Sequence, residues 1–240
     1  MAGSSTIRPL DRQAPDLQAP IRSPLGLRIG FWACIVIAIA VVIRRVTALA
    51  SPPKSAPPAM AGLDATFASH SALTLAHILP ALAFVLIVPF YFFAHTRIAS
   101  WAERIIFPLG AWVGLSAYAM SSYSVGGWTE RSAVLFFNTL FLFSLLRAWL
   151  YQRNSDPTHS RRWLVRAIVV LLGIATTRPV MGVFFATASK THLTPSQFFG
   201  IAFWIGFSIN WLVVELWLRH TRTKVPQRSA TPRQAAEIDA

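Results

Sequence analysis

Charge is what this chain has least of. Only 13% of its 240 residues are charged, and just nine are acids. Soluble domains carry about a quarter charged residues, so this chain cannot cover a water-facing surface of its size, whereas a lipid-facing surface needs no charge. Cysteine is nearly missing too. Cys34 stands alone, which excludes an intramolecular disulfide and leaves the redox compartment unread. There is no glycine-rich phosphate loop, no metal-spaced Cys/His cluster, no His-Glu-x-x-His and no nucleophile elbow. Nothing points to catalysis, and no residue is given a catalytic or metal-ligating role on motif grounds. The net charge of +13 suggests nucleic acid at first sight. The basic residues, however, sit in tails and short loops between apolar runs, with no recognition motif beside them, so nucleic acid is not an expected partner.

What is present is hydrophobic length. Residues 1–26, rich in Pro, Ser and Arg, cannot bury a core and read as a disordered tail. The first apolar run spans about 27–48. Ala48-Leu49-Ala50 resembles a signal-peptide cleavage site, but Arg44 and Arg45 intervene and the run is long, so a retained span is expected. Ser51 to Pro58 is Pro-rich and reads as an extended loop. Further spans are expected at about 70–94, 103–123, 131–151, 161–187 and 195–218, followed by a basic tail over 219–240. Pro80 and Pro89 predict kinks in the second span. Gly110 and Gly114, four apart in the third, allow a neighbouring helix to approach closely. Thr194-Pro195 is a good helix start. The fold class is thus an all-α, polytopic bundle of about six spans in a lipid bilayer.

Six spans place both tails on one side. That side collects Arg8, Arg12, Arg22, Arg28, Arg97, Arg104, Arg153, Arg161 and Arg162, and the basic C-terminal tail. The other side has Arg44, Arg45, Lys54, Arg131 and Lys190. The positive-inside rule makes both tails cytoplasmic, and a bacterial inner membrane is the expected location. Trp32, Trp101, Trp149, Trp163 and Trp217 fall near the cytoplasmic ends as an aromatic belt.

At the fifth and sixth spans the chain resembles a known family. Asp156-Pro-Thr-His159-Ser-Arg161-Arg162-Trp163-Leu-Val-Arg166 looks like that family's His-x-Arg-Trp-Met-x-Arg-type opening. Thr177-Arg178 is similar to its Thr-x-Arg or Leu-Arg element, and Asn210 to Glu215 to its Asn-x-x-x-x-Glu element. His77 looks like its early histidine. The family is the prokaryotic membrane-protein group called domain of unknown function, number 2306, and the resemblance covers about residues 70–220. A His-Arg pair usual after its second span is missing here, where the chain reads Trp101-Ala-Glu103-Arg104. The resemblance implies a membrane bundle and supplies no activity.

Depth sorts the polar residues inside the spans. His77 and Asn138 lie roughly 10 Å from the outer face, and Tyr118 and Arg178 roughly 7–13 Å, at 1.5 Å per residue. Arg147, His159, Arg162, Arg166 and Glu215 lie near the cytoplasmic face, with Asn210 slightly deeper. Glu215 reads as the one acid well inside a span, and it is expected to pair with Arg147 or Arg166 as a structural clamp. Arg178 reads as having no acid at its depth. Intramembrane charges are functional by default, so a ligand-binding group of His77, Tyr118, Asn138 and Arg178 is expected in an outer-half chamber. The bland alternatives are that Arg178 or His77 satisfies carbonyls freed by Pro179 or Pro80, and that His159 is a helix cap. The leading expectation is binding or transport of a small anionic or polar molecule. A b-type haem electron carrier is the alternative, with His77, His95 and His159 as candidate axial ligands. A non-catalytic assembly or regulatory subunit is a third reading.

Overall fold

The computed structural model describes residues 24–51, 58–93 and 96–222. Residues 1–23 and 223–240 of the expected tails and Pro52 to Pro57 of the expected loop lie outside the described residues, as does His95; Arg219 to Arg222, expected in the tail, continue α7. Everything described is helix or short turn: α1 (Leu25–Ala50), α2 (Pro58–Ser69), α3 (Ser71–Phe93), α4 (Thr96–Ser121), α5 (Gly127–Arg153), α6 (Pro157–Thr191) and α7 (Pro195–Arg222). All-α architecture follows from the apolar runs themselves, because a backbone in lipid must satisfy its own polar groups. Helix α2 falls between the Pro-rich loop expected at 51–58 and the span expected from about 70, where no element was expected.

Five helices, α1, α3, α5, α6 and α7, are long and apolar enough to cross a membrane. The chain is a multi-pass integral membrane protein. The expected third span corresponds to α4, which has span length at 26 residues, but Arg97, Glu103 and Arg104 dilute its first half. It nevertheless runs antiparallel to α3. Ala76, near the start of α3, meets Trp112, late in α4. Large apolar side chains stay exposed on most of the helices, Val36, Leu86, Leu115, Phe136 and Leu216 among them, as a lipid-facing surface requires.

Helix α6 is the axis. Its 35 residues reach roughly 52 Å, well beyond the ~30 Å hydrocarbon core. It packs against α1, α5 and α7, while α3 and α4 form a hairpin leaning on α5. Two close approaches fix this arrangement. A Cβ on Gly206 of α7 would meet Thr177 backbone atoms of α6 at 2.7–2.8 Å, so only glycine fits there. Gly110 and Gly114 of α4 receive Leu145 and Leu142 of α5, and Asn138 donates its amide to the Gly114 carbonyl at 2.9 Å. The small-residue pattern read from the sequence is therefore a real contact between helices.

The prolines do not break the helices. Pro80 leaves the carbonyl of Ala76 without its N–H partner. The indole of Trp112 donates to that oxygen at 2.8 Å, so a neighbouring helix supplies the missing donor. Helix α7 begins at Pro195 as expected, but Gln197 does the capping in place of the Thr194 hydroxyl: its Oε1 reaches back to accept from the Thr194 backbone N–H at 2.9 Å.

Candidate functional site

The bundle has two polar ends of different character. The tail end is where α1 begins and α7 finishes; the far end is where α1 finishes and α3 begins.

At the tail end, Arg166 holds Glu215 by a two-pronged contact, Nε to Oε2 at 2.9 Å and Nη2 to Oε1 at 3.2 Å. Arg219, one turn after Glu215, adds a 3.3 Å contact. Of the two expected partners, Arg166 takes the carboxylate. Arg147 instead donates to the Tyr151 hydroxyl at 2.8 Å and lies over the rings of Tyr151 and Trp163. Arg162 donates to the Leu218 carbonyl. Asn210 accepts from Thr176 at 2.7 Å and donates to the Val169 carbonyl at 3.3 Å, tying α7 to α6. Asp156 is the N-cap of α6, accepting from the His159 backbone N–H at 3.1 Å and from its ring Nδ1 at 2.7 Å. Those His159 contacts hold the Asp156 carboxyl below the usual carboxylate range. His159 is thus part of a cap, stacked on Tyr151.

At the far end lies a cavity of about 250 Å³. His77, Asn138 and Arg178 all line it, from α3, α5 and α6 respectively. Tyr118 is not among its lining residues; its hydroxyl pairs with Thr139 at 2.8 Å. The depth reckoning put Tyr118 at the right height but could not give its rotation about α4. His77 engages α4 through Ser116, with Nδ1 to Oγ at 2.9 Å. Because Ser116 spends its own proton on the Trp112 and Val113 carbonyls, the His77 ring nitrogen is the donor in that contact. The carbonyl freed by Pro80 goes to Trp112, so His77 is not its partner.

Arg178 differs from the other buried and half-buried guanidinium groups within the described spans. Its nearest recorded partner is the Met181 sulfur, at 3.8 Å from Nη1, and its Nε is buried without an acceptor. The Nε atoms of Arg147, Arg161 and Arg162 also lack acceptors. Those side chains, however, find an oxygen or a ring face through their other atoms. The alternative in which Arg178 satisfies the carbonyl freed by Pro179 has no bond to support it.

One expectation is overturned. Arg178 does have an acid near its level, because Glu130 is buried, lines the same cavity and lies within electrostatic reach of Arg178. Glu215 is accordingly not the sole buried acid. Glu130 sits in the first turn of α5 and turns back, accepting from the Gly126 N–H at 2.6 Å. The sequence reading began this span at Arg131 and so left Glu130 in the loop. The signal was available: a Gly-Gly turn followed by an acid able to reach back to the orphan N–H groups of a new helix.

Two more groups at the rim escaped the sequence reading. Arg45 lines the cavity, and Asp64 on α2 receives it at 2.6 Å and Arg44 at 3.2 Å. Phe67 of α2 lies under the Arg45 guanidinium at 4.0 Å. Helix α2 is thereby pinned over the far end of α1. The rings of His70 and Tyr123 meet beside it, tilted at 31° with centroids 3.6 Å apart.

The haem alternative named His77, His95 and His159 as candidate axial ligands. His77 and His159 lie at opposite ends of the bundle, and His95 is outside the described residues. Among the described residues no cluster of three or more His, Cys, Asp or Glu is placed to share a metal.

Fold and site together define a multi-pass membrane protein with a small charged cavity in one half of its bundle. Comparison with protein-family models, curated proteins and solved structures finds no match.

Proposed function

We propose that this is a six-span protein of a bacterial inner membrane that binds, and in doing so can carry, a small anionic molecule in the far-end cavity. The observation that carries the reading is Arg178, a half-buried cation on a cavity wall, with its Nε cut off from solvent and no oxygen partner among the described residues. A charge in that setting is costly unless something anionic meets it for part of its working cycle. Glu130 is close but already accepts a backbone N–H. Six crossings are favoured because α4 pairs antiparallel with α3 and equals the other spans in length. The Lys/Arg excess at the tail end then puts both tails in the cytoplasm and the cavity in the outer half. Kinship with the family of unknown function named above rests on the order of its motif-like elements and adds no activity.

Thermal unfolding of the detergent-purified full chain against a panel of small organic and inorganic anions tests this. A bound anion raises Tm saturably by mass action. The expected result is such a rise for at least one class of anion in the wild type, absent in Arg178→Gln. If no anion stabilises the protein, or the variant responds equally, the proposal fails.

A further inference from the structure

We infer that the ligand of the far-end cavity is an amphiphilic monoanion, a carboxylate on a short apolar tail; this rests on the anion-binding reading just given. Three observations narrow the class.

The first is charge. Among the described residues, three guanidinium groups gather here, Arg44, Arg45 and Arg178, each of the first two within electrostatic reach of the third. Two carboxylates answer them, Asp64 at the rim and Glu130 in the wall. With both acids ionised, one positive charge is left over. A monoanion balances it, whereas a phosphate monoester, carrying close to two negative charges, would leave a surplus in a poorly hydrated site.

The second is the wall. Beyond the charged groups, the cavity is faced by apolar side chains, Val85, Phe137, Phe141, Leu171, Phe203 and Phe207 among them. A hydrated inorganic ion gains nothing from such a surface. An alkyl or aryl body gains about 0.8 kcal/mol per buried methylene. The cavity, about 250 Å³, is far larger than a single water needs and has room for a short organic tail.

The third is Asp64. The protein already places one carboxylate on Arg45, at 2.6 Å, from the short helix lying over the site. That contact shows the head-group chemistry the rim accepts. It also makes Asp64 an internal competitor, which an incoming carboxylate meets at Arg45 while Arg178 waits deeper in the same cavity.

The test is a calorimetric titration of the full chain in lipid nanodiscs with linear carboxylates from acetate to octanoate, with octanol and inorganic phosphate alongside. Empty nanodiscs correct for partition into lipid. Affinity should rise about fourfold per methylene, the fold-change equivalent to 0.8 kcal/mol, and level off once the cavity is full. Octanol should bind at least tenfold more weakly than octanoate. Arg178→Gln should erase the acid's advantage over the alcohol while keeping the tail dependence, and Arg178→Lys should restore part of it, showing that the site still folds. Equal binding of acetate or phosphate and octanoate, all lost in Arg178→Gln, would overturn the amphiphile and leave anion binding standing. Equal binding of octanoate and octanol, or no binding that depends on Arg178, would overturn both.

Discussion

Arg166 and Arg178 lie on the same helix, twelve residues apart, and meet opposite fates. Arg166 is clasped by Glu215 through two hydrogen bonds, and Arg219 steadies that carboxylate from the other side. Arg178 reaches only a methionine sulfur and borders open space. Membranes tolerate a buried charge when it is paired or when it serves a ligand. The tail end shows the first solution, a clamp that holds α6 to α7 and pairs the Arg166 charge. The far end has the unpaired charge that the proposed function assigns to the second. The difference teaches that burial of an arginine does not by itself point to a ligand; what sets Arg178 apart is that no oxygen or ring face among the described residues meets any of its atoms while it borders a cavity.

Breaking the clamp should have the largest effect. Glu215→Gln keeps shape and removes the counter-charge of a guanidinium whose side chain is only 7% exposed, against 19% for Glu215. The expected cost is about 3 kcal/mol, the low end for a buried pair because the carboxylate keeps some access. It is read as a lower Tm of the solubilised protein, and an unchanged Tm would place the pair in the hydrated, energetically minor class.

Next is the proline-freed carbonyl. Trp112→Phe removes the donor to Ala76 and leaves an acceptor facing lipid, costing about 1–2 kcal/mol. In a Pro80→Ala background the helix supplies its own N–H, so the same substitution should then cost little. Equal costs in both backgrounds would show that Trp112 acts only through packing.

The counterpart of the first experiment is Arg178→Met. It forfeits no hydrogen bond to oxygen, so stability should change by less than about 1 kcal/mol. A loss as large as that of Glu215→Gln would erase the distinction between the two ends.

The smallest effect concerns the α6 cap. The Asp156 carboxyl titrates below its ordinary range because the folded chain donates His159 N–H groups to it. Its contribution is therefore fully present above the unfolded value of about 3.9 and is lost as pH falls through the lower folded value. Asp156→Asn should flatten only that acid limb of the Tm–pH profile. A change confined to neutral pH would contradict the assignment.

Much of the bundle could be read in the sequence because lipid imposes one strong rule, long apolar helices, and runs of residues report it directly. The ends of α5 and α6, and the start of α7 at Pro195, are close to where composition put them. Depth was legible as well, which is how His77, Asn138 and Arg178 were grouped. Rotation was not. Tyr118 shares their depth but faces Thr139, since the facing of one helix depends on all its neighbours. Glu130 and Asp64 were missed because a residue at a helix start or in a short extra helix carries no periodic signal of its own. The choice of Arg166 over Arg147 for Glu215 was likewise a matter of helix facing that counting residues does not supply.

The central claim is that Arg178 borders a chamber reachable from the far end. The direct measurement replaces Cys34 by Ser, introduces Arg178→Cys, and follows modification by a small membrane-impermeant thiol reagent added from the outside. Lys190→Cys, exposed near the end of α6, sets full labelling. Leu172→Cys, 4% exposed and deeper in the same helix, sets the floor. A thiolate must form for reaction, and it does not form in hydrocarbon. The account predicts labelling at position 178 well above the Leu172 floor and slowed by a short-chain carboxylate that occupies the cavity. Labelling no faster than at position 172 would contradict it and return Arg178 to the role of a packing residue.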